Sequence, residues 1–370
     1  MKIVKIVTLL ISILFLTTNC VSQQVTTSKD KISLDEKIGQ MIMIGIGTEK
    51  TVDQNSKFLN SVKNSYLGGI LIYEKNISKE NSKQNLINLI KTYKKASKNP
   101  LMVSIDEEGG KVNRLKPKYG FPKTVSAHYL GKINNIDSTK HYNDVIAHNL
   151  YLTGFNVNYT PVLDVYNPIN PVLGKKERCY SNDPQIIIKH ARQVIKSHQY
   201  FNIKTVLKHF PGHGNSQKDS HFDVTDVSNY WKEEELIPYA ALIKEGNVDA
   251  IMTAHIVNDK LDASKLPATL SKKIMTGLLR EKMGFNGLII SDDMHMRAIS
   301  EHFGFEESIV MCVNAGVDVL MFSNNIKKED EVTAEDIIKI IQKNIKSGQI
   351  SLDLIEASYL RILKFKKSLK

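Results

Sequence analysis

The sequence predicts an α/β protein built as a single (β/α)8 barrel of the TIM type, and three observations carry that expectation. Eight short apolar runs follow one another: Met41–Gly45, Gly69–Ile72, Leu101–Ile105, Val157–Tyr159, Thr205–Leu207, Ala250–Thr253, Leu288–Ser291 and Val319–Phe322. The segments between them carry helical patterns. Polar residues recur where the runs end. Alternating strand and helix signals mark a parallel sheet covered by helices, and eight such units match a closed barrel. An open doubly wound sheet fits less well, because no G-x-G-x-x-G follows the first run.

The N-terminus reads as a targeting segment. Lys2 and Lys5 precede the almost wholly apolar stretch Ile6–Leu16, which is short for a bilayer span but suits a signal core. Thr17-Thr18-Asn19-Cys20 follows, and a cysteine just after such a core resembles a bacterial lipoprotein signal. Asn19 is bulkier than the usual residue there, and Leu16 lies one place further from the cysteine than usual. The expectation is a signal peptide over 1–19, a lipidated tether over 20–32 beginning at Cys20, and a catalytic barrel over 33–370. An exported, membrane-anchored envelope protein follows; ordinary secretion or an uncleaved anchor is the alternative.

Within the barrel, Asn85–Ile90 starts one helix, and Ala241-Leu242-Ile243 closes another before Glu245-Gly246. Ala334 to Lys370 reads as helical with a basic end. Thr160–Asp183 holds Pro161, Pro171 and Gly174 and reads as an active-site loop after the fourth strand.

The chain has 370 residues, 42% hydrophobic, with a formal charge of +11. Its cations are spread rather than blocked. That argues for a basic soluble surface, open to anionic envelope polymers, and against dedicated nucleic-acid binding. Beyond Cys20, Cys179 and Cys312 make no disulfide framework and no zinc ribbon. No cofactor is implied, and a monomer is expected.

The most informative stretch runs from Lys208 to His221. A buried strand delivers Lys208 and His209, and a Pro-Gly/Gly loop then carries Asp219 and His221. A carboxylate two residues from an imidazole can orient it and raise its pKa, which suits a general acid/base. Other strand ends carry Asp106, Asp164, His255, and the pair Asp292-Asp293. In a barrel these converge on one rim. A carboxylate there can attack an anomeric carbon, with a nearby acid protonating the leaving oxygen. Asp293 reads equally as a helix cap.

These motifs together resemble glycoside hydrolase family 3, in its β-N-acetylhexosaminidase branch. The similarity covers Ser33 onward and includes SLDEKIGQM, LGGILIYEKNI, IDEEGGKVNRL, GFNVNYTPVLDV, KHFPGHG followed by DSH, MTAH, LPATLS, GFNGLIISDDMHM and AGVDVLMF. The resemblance implies Asp292 as nucleophile and His221, partnered by Asp219, as acid/base. It implies sugar contacts from Asp106, Arg114, Arg178, Lys208 and His209. It also implies a retaining, exo-acting enzyme that removes terminal β-linked N-acetylglucosamine from peptidoglycan fragments or related glycans. Other branches donate the proton from a Glu on a second domain; here the DSH loop is expected to supply it. Phosphate in place of water is a variant of the same chemistry.

Two departures stand out. His295 occupies a position where the branch more often has a small residue, which bears on the shape of the sugar pocket. GKKER is longer in cations than usual, and Lys175 and Lys176 read as solvated charges or as contacts to an anionic aglycone. Blander readings accompany the rest. His213 shapes the loop, and His255 is as much a core residue as a ligand. Asp164 stabilises loop or barrel, Glu107 and Glu108 support the Gly109-Gly110 turn, and Met294 and Met296 are apolar filling. Cys179 and Trp231 pack. Two other functions compete: a metal-dependent hydrolase using His209, His213, Asp219 and His221, and a sugar-binding lipoprotein without turnover.

Overall fold

The computed structural model describes residues 32–218 and 224–369. The expected signal segment, its Cys20, and the pair Asp219 and His221 lie outside the described residues. From Ser33 onward the chain forms one compact unit.

All eight expected strands form. They are β1 (Ile42–Gly45), β2 (Gly69–Leu71), β3 (Met102–Ile105), β4 (Val157–Asn158), β5 (Lys204–Phe210), β6 (Ala250–Thr253), β7 (Leu288–Ile290) and β8 (Leu320–Phe322). Each pairs in parallel with its neighbours in chain order, and β8 returns to pair with β1 through Ile42–Leu320 and Ile44–Phe322. A parallel bridge between Ile290 and Val319 closes the last gap. The strands are short and almost wholly buried, as expected when side chains fill the barrel on one face and helices cover the other.

Closure is fixed by a buried charge. Asp318, fully buried before β8, accepts from the Ile289 N–H at 2.8 Å, Ser358 Oγ at 3.0 Å and Arg361 Nη1 at 2.8 Å, and is also paired with Arg280. A buried carboxylate is tolerable only when it is satisfied in this way.

The helices follow their end signals. Ser33 caps Leu34–Gln40 in a capping box with Glu36. Asp183 caps Pro184–Tyr200 and so ends the long loop where the sequence places that end. The C-terminal stretch expected to be helical is helical, as two helices, Ala334–Lys346 and Leu352–Lys366. Gly348 takes φ of +79°, Ile350 turns inward, and Ser351 caps the second helix. A left-handed glycine followed by a fresh cap stops a helix even inside a helix-favouring composition. Among the described residues, no helix is long and apolar enough to cross a membrane.

Candidate active site

Seven of the eight strand ends contribute to one cavity of about 600 Å³. Tyr73 follows β2, Asp106 follows β3, and Arg178 lies on the loop after β4. Lys208, His209 and His213 come from β5 and its loop, and Met252 from β6. Asp292, Asp293, His295 and Met296 follow β7, and Met321, Ser323, Asn325 and Ile326 come from β8 and beyond. Arg114, Lys111 and Lys176 also line it. The cavity therefore holds every expected site residue that the structure describes.

The β3–β5 wall is an ion-pair network. Lys208 Nζ lies 2.8 Å from Asp106 Oδ1 and 2.6 Å from Glu108 Oε1, with its side chain 1% exposed. Arg178 grips Glu108 with two parallel bonds, Nε to Oε2 at 2.9 Å and Nη2 to Oε1 at 2.7 Å. Arg114 Nη2 approaches Asp106 Oδ2 at 3.5 Å. Burial alone would raise both acids. The ammonium of Lys208 and the guanidinium of Arg114 overcome it at Asp106, holding its carboxyl far below the usual range. At Glu108, Arg178 and Lys208 outweigh burial and hold the group at about 2. Burial opposes the charge on Arg178, but Glu108 and then Asp106 more than restore it. The network thus joins two carboxylates to three cations; Asp106, Arg114, Arg178 and Lys208 line the cavity, and Glu108 holds Lys208 and Arg178 without lining it. Such a set suits a ligand with many hydroxyls, each able to donate to one group and accept from the next.

Glu108 corrects the sequence reading. It was expected to brace the Gly109-Gly110 turn, yet its side chain points to Lys208 and Arg178. Glu107 does brace the segment: its Oε2 accepts from the N–H groups of Arg114 at 2.7 Å and Leu115 at 3.0 Å. Burial pushes Glu107 up to about 7. Two adjacent acids after a strand take different partners, and only the tertiary contacts decide which one holds the site's cations. Tyr73 was also missed. Its ring lies 5.6 Å from the Arg114 guanidinium carbon, and nothing local in the sequence marks it.

Asp164 organises the base of the β5 loop. It is 1% exposed. Its Oδ2 takes His209 Nδ1 at 2.7 Å, and its Oδ1 takes the His213 N–H at 2.7 Å. With Nδ1 donating, His209 Nε2 is left as acceptor, and Arg178 Nη2 meets it at 3.3 Å. His213 bonds Ser216 through Nδ1; burial lowers it to about 4, so it stays neutral. The loop reading of His213 holds, although the ring also lines the cavity. A guanidinium facing His209 Nε2 and the commitment of both Nδ1 atoms disfavour a metal shared by these rings.

The loop itself is stapled at both sides. Asn170 Nδ2 donates to the carbonyls of His213 and Gly214, each at 2.9 Å. Glu235, pushed up to about 7 mainly by burial, accepts from the Gly214 N–H at 3.0 Å and Asn215 Nδ2 at 2.9 Å. Gly212 has φ of +116° and would drive a Cβ into Glu235, so that position requires glycine. Trp231 Nε1 bonds the Pro211 carbonyl at 3.1 Å, so Trp231 is a packing residue that also holds the turn.

Asp292 ends β7. Its N–H meets Thr253 Oγ1 at 3.2 Å, and its Oδ1 accepts from the Asp293 N–H at 2.8 Å. Asp293 lines the cavity and does not cap the helix that follows, Arg297–Ser300, whose N-cap position is Met296. Its Oδ1 accepts from the N–H groups of His295 at 3.1 Å and Ser323 at 2.9 Å, tying the β7 end to the β8 end. His255 is a core residue: it bonds Thr269 at 2.7 Å and the Asp293 carbonyl at 3.0 Å, behind the cavity. Met294 is buried filling, whereas Met296 reaches the cavity. Cys179 packs with Val162, Val172 and Leu173, and burial drives its thiol far up, away from nucleophile chemistry. Lys175 and Lys176 are exposed. Lys176 lines the cavity, while the carbonyl of Lys175 holds Lys111 Nζ at 3.0 Å.

Known proteins are similar to this chain in sequence and architecture. A β-hexosaminidase of Tolumonas auensis is 34% identical over 264 residues, 70% of this chain and 76% of its own. β-Hexosaminidase A of Pseudoalteromonas piscicida is 31% identical over 82% of this chain, which spans 54% of that protein's length. The structure of a glycoside hydrolase family 3 β-N-acetylglucosaminidase from Paenibacillus superposes with a TM-score of 0.83 at 29% identity, covering 91% of this chain and 63% of that one. The model of the glycosyl hydrolase family 3 N-terminal domain matches residues 33–365. The chain belongs to glycoside hydrolase family 3.

Proposed function

We propose that this protein is an exo-acting, retaining β-N-acetylglucosaminidase. The observation that carries the reading is that Asp292 lines the same cavity as Asp106, Lys208 and Arg178, the last two held by Glu108. A carboxylate that shares a cavity with a wall able to hold sugar hydroxyls can act as nucleophile toward C1. Relatives named as β-hexosaminidases supply the substrate class.

In the first step Asp292 attacks C1. The bond from C1 to the leaving oxygen breaks, and protonated His221 gives its proton to that oxygen. In the second step neutral His221 takes a proton from water, whose oxygen attacks C1 and releases Asp292. Asp219 orients His221. The role of the DSH pair rests on its match to the family motif, since these residues lie outside the described ones.

The natural substrate is proposed to be a peptidoglycan fragment or related glycan ending in N-acetylglucosamine. The chain acts as a monomer at the cell envelope, tethered through Cys20; the charged start and apolar run before Cys20 support this. Fractionating cells that carry the wild-type chain or Cys20→Ala tests the tether, which predicts release of the variant from membranes.

The activity is tested with p-nitrophenyl N-acetyl-β-glucosaminide beside the matching glucoside. Release from the acetamido sugar, with the β-anomer formed first by NMR, is expected. No release from it, or α-anomer first, would sink the reading.

A further inference from the structure

The two walls of the cavity differ in kind. The β3–β5 wall carries charges. The β7–β8 wall carries Met296, Met321 and Ile326 as well as His295 and the polar Asp292, Asp293, Ser323 and Asn325. His295 is nine-tenths buried, its side chain 10% exposed. Neither ring nitrogen has a hydrogen-bond partner among the described residues. The nearest carboxylate oxygen, Asp293 Oδ1, is 3.6 Å from Nδ1 and is already taken by the N–H groups of His295 itself and of Ser323. The ring rests edge-on against Phe322, 5.5 Å between centroids.

Buried polar atoms nearly always find partners, so an imidazole with two orphaned nitrogens in a ligand cavity calls for one. Burial lowers the pKa of His295, so at neutral pH the ring is uncharged, with one donor and one acceptor. That pair does not match an anion. It does match an amide, which presents a carbonyl acceptor and an N–H donor. The apolar side chains that line the same cavity, Met296, Met321 and Ile326, match a methyl group beside that amide.

We propose that His295 is a specificity-determining residue that hydrogen-bonds the 2-acetamido group of the substrate, with Met296, Met321 and Ile326 receiving its methyl. The inference rests on the proposed glycosidase reading. It adds which wall distinguishes an acetamido sugar from its plain hydroxyl counterpart. The acetamido group sits on the carbon next to the one that Asp292 attacks, and His295 stands three residues beyond Asp292. The charged wall is left to the remaining hydroxyls.

The test compares kcat/KM for p-nitrophenyl N-acetyl-β-glucosaminide with that for the β-glucoside, in the wild type, His295→Ala, His295→Gln and His295→Phe. The expected result is a fall of roughly tenfold or more in the acetamido preference for Ala and Phe, because a site built around a polar group loses selectivity when that partner is removed. The glucoside rate should change little, and Gln, which keeps a donor and an acceptor, should recover much of the preference. An unchanged preference in Ala and Phe overturns the proposal while leaving the glycosidase reading intact. No turnover of the acetamido sugar by the wild type overturns that reading instead. Thermal unfolding gives a second readout: His295→Phe should unfold no lower than the wild type, because nitrogens that lack partners in the free protein lose nothing. A marked drop would place those nitrogens in a structural bond and also overturn the proposal.

Discussion

Asp164 Oδ2 stands 2.7 Å from His209 Nδ1, while the other oxygen of the same carboxylate holds the His213 N–H at 2.7 Å. One buried acid from the β4 loop thus sets both the tautomer of His209 and the start of the β5 loop. Asp164→Asn keeps the shape but replaces one acceptor with a donor, so it cannot satisfy both partners. We expect kcat/KM to fall roughly tenfold to hundredfold, mainly through KM, since misplacing a positioning group by a fraction of an ångström is costly. Steady-state kinetics on a chromogenic N-acetylglucosaminide, with circular dichroism as the folding control, check this.

Glu108 sits between two cations, and Glu108→Gln leaves Lys208 and Arg178 facing a neutral amide. Breaking a buried pair from one side costs about 3–5 kcal/mol. A clear drop in urea midpoint should accompany the loss of activity. Arg192→Ala is the contrast. It breaks an Arg192–Glu245 fork with the same 2.7 Å contact, but on the surface, with side chains 43% and 31% exposed. That change should cost no more than about 1 kcal/mol.

Asp292→Ala should reduce turnover nearly to background with every aglycone. His221→Ala should behave differently. Its loss should be small for dinitrophenyl leaving groups, which depart without a proton, and large for alkyl ones. Equal losses across a series of leaving-group pKa would remove His221 from the acid role.

Glu107 has a proton-linked effect on stability. Burial raises it from 4.5 to about 7, so between those values the folded state holds a proton that the unfolded state has released. Stability contributed by this group is whole below about pH 4.5 and declines as pH rises toward 7, by up to about 3 kcal/mol. Both bonds it accepts go to Oε2, so Glu107→Gln can keep them while losing the titration. The variant should show a flatter fall in unfolding free energy between pH 5 and pH 8 than the wild type. Asp106 and Glu108 act in the opposite direction. Their depressed values contribute stability that is present above the ordinary carboxylate range and lost as pH falls below about 4.

The sequence by itself determined the barrel, because burial of a parallel strand and the capping of the next helix are both written within a few neighbouring residues. It also determined that Asp106, Lys208, His209 and Asp292 share a rim, since each directly ends an apolar run and strand ends converge in this fold. Tertiary structure decided who partners whom. Glu107 and Glu108 are adjacent acids with the same local signal. Only the approach of Lys208, a hundred positions along, and of Arg178 from a third loop makes one the partner of the site's cations and leaves the other as a brace. The same holds for Tyr73, for the staple from Asn170, and for the orphaned ring of His295. Periodicity and caps are local properties of a chain, whereas ion-pair partners, tautomers and cavity walls are set by distances that exist only once the barrel has closed.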